Sequence, residues 1–158
     1  MELRRYGQST PSPNTADYTA VAAGANFTCA LHVGGRLSCW GSNAAVTSAV
    51  PSASNFVAIA AGFAHACALA STGALSCFGS NAQGQSAAQA STDFVAVAAG
   101  AYHSCALRQG GQVVCFGANA QGQSSVPAQN AFNTISAGSA FACGVLATGA
   151  LSCTGSNT

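Results

Sequence analysis

One spacing constrains this chain more than any other feature. Tyr18, Phe56, Phe94 and Phe132 stand 38 residues apart each time, and the sequence around them recurs with them. Three full units cover residues 18–55, 56–93 and 94–131, and a shorter fourth covers 132–158. Insertion-free recurrence of this kind means that each unit packs on its neighbour in one repeated way.

Within a unit the residues read as strands. The run Phe56-Val57-Ala58-Ile59-Ala60-Ala61 is short, apolar and β-branched, and Gly62 ends it, as suits a buried strand. The segments around Cys67 and Cys77 follow. If Ala70 pairs with Ala74, the residues Ser71-Thr72-Gly73 make a three-residue hairpin loop. Its last position sits in the left-handed region and wants glycine. Gly35, Gly73, Gly111 and Gly149 fill that position in all four units. Gly79-Ser80-Asn81 and Gly84-Gln85 then supply turn chemistry before an Ala/Ser/Gln-rich return. Alanine content alone favours helix, but the glycines and period-2 segments outweigh it.

The same register places the cysteines. Cys29/Cys39, Cys67/Cys77, Cys105/Cys115 and Cys143/Cys153 form one equally spaced pair per unit, and the hairpin sets each pair directly opposite, about 4.5–5.5 Å apart at Cα. Four disulfides within repeats are expected, and with them an oxidising compartment. Zinc sites use closer knuckles and histidines. Here His65 and His103 are replaced by Phe27 and Phe141 at the same repeat position, which marks packing rather than coordination, and no metal is expected.

The chemistry available is narrow. Charged residues make up 4% of the chain, against roughly 25% in soluble domains. There is no lysine, and beyond Asp17 only Arg36, Asp93 and Arg108 carry a formal charge. A net charge of +1 without basic clusters argues against nucleic acid or an anionic membrane as partner. No apolar run reaches the roughly 20 residues that span a bilayer. Residues 1–6 lack the apolar stretch of a signal peptide, so that such a segment was removed or the chain is an excerpt. The carboxylates are Glu2, Asp17 and Asp93, two of them at the repeat position where Asn55 and Ala131 also stand. No nucleophile motif or phosphate loop is present. The expectation is a protein without catalytic residues or cofactor.

The run A-A-G-x-x-H-x-C-A-L-x-x-x-G-x-L-x-C-x-G-S-N-x-x-G-Q, legible at 60–85 and again at 98–123, resembles the repeat of the regulator of chromosome condensation family. That resemblance implies propeller blades, usually four-stranded sheets in a ring of seven. It therefore implies an all-β chain of tandem 38-residue blades, arranged as a closed small propeller or as an open arc or superhelix. This sequence departs from the family pattern in three ways. It has four units rather than seven, cysteines in strand positions, and only Trp40 at the family's tryptophan, with Phe78, Phe116 and Thr154 elsewhere. The cysteines resemble those of secreted members rather than of the nuclear exchange factor.

The ends add an expectation about domains. Unit four stops at Gly155-Ser156-Asn157, where units two and three continue A-Q-G-Q, and Arg5-Tyr6-Gly7-Gln8-Ser9 looks like that continuation. Residues 1–17 are then a segment that completes a repeat, and 18–158 the four-repeat domain. The ring could close on itself, chains could join head to tail, or the sequence could be part of a longer array.

Three functions compete. The first is an extracellular structural repeat protein that assembles with copies of itself into a fibril, surface layer or multi-chain ring, consistent with net charge near zero. The second is a secreted binding module for a protein or glycan, with Trp40, Phe63, Tyr102, Arg36 and Arg108 as the available contact residues. The third is guanine-nucleotide exchange, by resemblance alone. Asn26-Phe27-Thr28 is an N-glycosylation acceptor sequence, so that Asn26 is a candidate glycan site.

Overall fold

The computed structural model describes Gly7, residues 17–127 and residues 131–156. Each unit folds as a three-stranded antiparallel sheet in chain order. The first contains β1 (Tyr18–Ala23), β2 (Phe27–His32) and β3 (Leu37–Gly41), followed by the one-turn helix α1 (Ala44–Thr47). The second contains β4 (Phe56–Ala61), β5 (His65–Ala70) and β6 (Leu75–Gly79), and the third β7 (Phe94–Ala99), β8 (His103–Arg108) and β9 (Val113–Gly117). The fourth contains β10 (Phe132–Ala137), β11 (Phe141–Leu146) and β12 (Leu151–Gly155). The first strands lie innermost and touch in succession, β1 on β4, β4 on β7 and β7 on β10. Among the described residues the four sheets form an open series of blades rather than a closed ring.

The hairpin has the register that the loop chemistry demands. Ala70 N–H donates to Ala74 O at 2.9 Å, and Cys67 lies opposite Cys77. Gly35, Gly73, Gly111 and Gly149 have φ between +76° and +85°. Gly73 also accepts, at its carbonyl, the N–H of Phe94 in the next unit at 3.1 Å, and the pairs Gly35/Phe56 and Gly111/Phe132 repeat this at 3.0 and 2.7 Å. A Cβ on Gly73 would stand 2.4 Å from Thr92 O. The loop glycine thus serves both the turn and the junction between blades.

One residue after each aromatic strand start the register slips by a bulge, between Phe56 and Ala58 and at the three equivalent places. A bulge lets one strand carry an extra residue. Phe56, Phe94 and Phe132 point inward and are buried, while Val57 and Val95 are left exposed.

The resemblance implied a fourth strand per blade, and among the described residues each sheet has three. The return segment satisfies its backbone locally instead. Asn81 Oδ1 accepts from Ser86 N–H at 2.9 Å and Gln85 Oε1 from Gln83 N–H at 2.8 Å. Asn119/Ser124 and Gln123/Gln121 repeat both bonds at 3.0 and 2.9 Å. The turn needs φ of +82° at Gly84 and +78° at Gly122, a region closed to most side chains. Unit one reads Ala44-Ala45-Val46-Thr47 at the same place, lacks the glycine, and makes α1 instead. Val46 is then buried in the core cluster that includes Phe78 of unit two. The segment read as completing unit four lies outside the described residues apart from Gly7, whose φ of +68° falls in the same region.

The core lies between blades. Each sheet has a forward face and a backward face. On the forward face of unit one, Phe27, Cys29, Leu31, Leu37 and Val46 meet Phe56, Ala66, Ala68, Ala70 and Phe78 on the backward face of unit two. Unit two repeats this with Cys67, Leu69 and Leu75 against Phe94 and Ala106. The alanines are small because the preceding blade's disulfide and leucines press against them, so close packing needs a flat partner.

Candidate functional site

Each cysteine pair is joined, Cys29–Cys39, Cys67–Cys77, Cys105–Cys115 and Cys143–Cys153, with Cα separations of 4.0–4.1 Å. In the first two units these bridges face the next blade, so they serve as interface packing as well as staples. Their dual role was not legible from spacing.

The histidine position is also an interface position. The rings of His65 and His103 are buried against the backbones of Gly62 and Gly100, where an added Cβ would collide with each ring. Phe27 and Phe141 stand against Gly24 and Gly138 in the same way. Ser104 Oγ donates to Gln85 O at 2.9 Å and lies 2.8 Å from His65 Nε2, so the imidazole donates across the interface from Nε2. Burial, and then the neighbouring His103, lowers the His65 pKa to about 4. Burial lowers that of His103 as well. Among the described residues no three His, Cys, Asp or Glu side chains gather as a metal site.

The two ends of the blades differ in charge. At the hairpin end, His32 Nδ1 meets Asp17 Oδ1 at 2.8 Å, and Arg108 Nε donates to Asp93 at 3.0 Å. These pairs occupy the same two repeat positions. Where the carboxylate position holds Asn55 or Ala131, the partner is Ala70 or Leu146. Reading each position separately hid this exchange of whole pairs. Arg36 directly follows the hairpin loop of unit one, its carbonyl accepting from His32 N–H at 2.9 Å, and is exposed. All four charged residues in the described range therefore sit at this end.

The opposite end bears the turns that join first and second strands, and none of those charges. Phe63 and Tyr102 occupy neighbouring positions of adjacent turns, their ring centroids 5.5 Å apart. They are 48% and 46% exposed. Phe63 N–H donates to Ala101 O at 3.2 Å, which ties the two turns together. Asn26 lies exposed at this end too, at the repeat position of Tyr102. Of the five candidate contacts, then, the structure brings together two. Trp40 lies half-buried in unit one with its ring 6.5 Å from Tyr18, and Arg36 and Arg108 belong to the other end. The neighbouring turns that pair Phe63 with Tyr102 are readable only once the blades are stacked.

Unit four shows a third surface. Phe141 is 43% exposed and Leu151 75%, whereas Phe27, His65 and His103 are fully buried at the first position and Leu37 and Leu75 are buried at the second. Its forward face is thus chemically an interface face. On the backward face of unit one, Val21 is exposed where Ile59 and Val97 pack on core clusters. Among the described residues no helix is long and apolar enough to cross a membrane.

The comparisons agree with this architecture. The structure is similar to the CRINKLY WD40 ectodomain of the receptor kinase ACR4 from Arabidopsis thaliana, with a TM-score of 0.77 and 27% identity over 87% of this chain and 50% of that one. It is similar to the entire ectodomain of the receptor kinase CR4 from Physcomitrella patens, with a TM-score of 0.74 and 30% identity over 90% of this chain and 42% of that one. Prp20p from Saccharomyces cerevisiae shares the fold at a TM-score of 0.73 and 19% identity, over 87% of this chain and 43% of that one. The chain spans half or less of the length of these proteins. No curated protein sequence matches it. The regulator of chromosome condensation (RCC1) repeat matches residues 18–45, 56–85 and 94–123. These matches cover the strands and hairpin glycines of the first three units and the Gly-Gln turns of the second and third, and the chain belongs to the regulator of chromosome condensation repeat family.

Proposed function

We propose that this chain is a non-enzymatic extracellular structural module whose blades join head to tail between copies. The observation that carries the reading is the uncovered forward face of unit four, with Phe141 and Leu151 exposed where their counterparts are buried. Three times within the chain a face of this composition is covered by the backward face of a following blade. The backward face of unit one buries Ala30 and His32 but exposes Val21, and that exposed part is the complementary surface. Contact between them is heterologous and grows unless it closes. In this reading residues 1–17 of one copy supply the Gly-Gln continuation to unit four of the next. The four disulfides and the likeness to two receptor ectodomains support an extracellular setting, in which Asn26 carries a glycan. Nucleotide exchange, the third reading, rests on the family resemblance alone.

Sedimentation across a wide concentration range tests this. The wild-type chain should form oligomers, and Phe141→Asp and Leu151→Asp, both at exposed sites, should yield folded monomers. A wild-type protein that stays monomeric at high concentration refutes the proposal.

A further inference from the structure

We propose that the aromatic pair Phe63 and Tyr102 is a binding site for a neutral glycan, independent of head-to-tail joining. Three observations converge on it. The first is the pair itself, two rings 5.5 Å apart and about half exposed on adjacent turns. Exposed aromatic rings offer flat apolar faces against which the C–H face of a sugar ring can lie, while the Tyr102 hydroxyl offers a polar tip.

The second is the cleft beside the pair. Ser80, Ala82, Gln83, Gln85, Tyr102 and Ala118 enclose about 300 Å³ between the return loop of unit two and unit three. That volume lies at the lower end of small-molecule sites, so it suits one or two sugar rings rather than a larger ligand. Gln85 is buried and held by its Oε1 bond to Gln83 N–H, while its Nε2 makes one bond, 3.4 Å to Ser80 Oγ. Few fixed polar groups beside an apolar platform are what set orientation in such sites.

The third is the charge distribution. Asp17, Arg36, Asp93 and Arg108 all lie at the hairpin end, away from these turns. Among the described residues this surface carries no formal charge; such a surface gains nothing from an ionic ligand and strips its hydration at a cost, so the complementary ligand is uncharged and rich in hydroxyls.

The repeat supplies its own controls. Ala25 and Ala101 stand where Phe63 does, and Ala64 and Ala140 where Tyr102 does, so Phe63→Ala and Tyr102→Ala are compatible with the fold. Titration of the intact protein with cellotriose, mannotriose and N-acetylchitotriose, followed by calorimetry and by saturation transfer to the sugar protons, is the experiment. At least one of these should bind, with no loss on raising salt, and each alanine variant should bind about tenfold more weakly or not at all. Arg36→Ala, at the other end, should bind as the wild type does. Binding of none of the three sugars overturns the proposal. So does preferential binding of a sulfated heparin disaccharide, or affinity unchanged in both alanine variants. If the alanine variants instead abolish self-association while Phe141→Asp does not, the pair is a contact between copies and the glycan site is wrong.

Discussion

Acid should loosen this protein through two histidines rather than through its carboxylates. His65 lies in the interface between units two and three, its Nε2 committed to Ser104 and its Nδ1 buried without a hydrogen-bond partner. Protonating Nδ1 would place a cation where nothing accepts it and where His103 is the neighbouring titratable group. The folded-state pKa is lowered from 6.5 to about 4. A histidine in an unfolded chain takes up its proton near its ordinary value, so between these values the unfolded chain binds more protons than the folded one. The stability associated with a neutral His65 is therefore complete above about pH 6.5 and is lost as pH falls toward about 4. A shift of this size corresponds to about 3 kcal/mol. His103, shifted in the same direction by burial, adds to the loss.

Ordinary acid denaturation draws on many paired carboxylates, and this chain has three acidic residues in all, so the background is small. Phenylalanine already fills the histidine position in units one and four, which makes His65→Phe with His103→Phe the informative variant. Ser104 keeps its donor bond to Gln85 in that variant, and His32, paired with Asp17, is left in place. Urea midpoints should fall for the wild type between neutral pH and about pH 4.5, and the double variant should hold most of its neutral-pH stability. A wild type equally stable at both values, or a double variant that loses as much, refutes the assignment of acid sensitivity to these rings.

Three further outcomes follow from the stacked blades, each read by equilibrium unfolding. Phe94→Ala should cost about 3–5 kcal/mol, because its ring is buried between units two and three; a loss below about 1 kcal/mol would mean that the ring contributes little to the junction. Replacing Cys67 and Cys77 by alanine should cost more than the about 2–3 kcal/mol expected for closing so short a loop, since the bridge also packs against unit three, and a loss within the loop value would limit it to a staple. Ala68→Leu should destabilise by about 1–3 kcal/mol by overpacking the slot against unit one, and a neutral result would show that the slot is looser than its burial implies.

What the sequence made legible was whatever a single blade decides for itself. The hairpin register follows from Gly73 and its equivalents because a left-handed residue fixes the loop, and the loop fixes which cysteines are opposed. The inward aromatic at each strand start is legible for the same reason, since the position holds Tyr18, Phe56, Phe94 and Phe132, an aromatic ring in every unit. What stayed hidden depends on two blades at once. Phe63 and Tyr102 belong to different repeat positions, and only the turn-to-turn bond from Phe63 to Ala101 brings them side by side. The pairing of Asp93 with Arg108, and of Asp17 with His32, joins the residue just before a unit to that unit's second strand, so a position-by-position reading sees only replaceable residues. Local turn bonding also settled the strand count. Asn81 and Gln85 satisfy the return segment within a few residues, and a segment whose polar groups are already paired has little left to gain from adding a strand. In unit one the same segment lacks glycine and coils into α1, yet Val46 still reaches the next blade. The junction between blades, rather than the local conformation of the loop, is therefore what the repeat preserves.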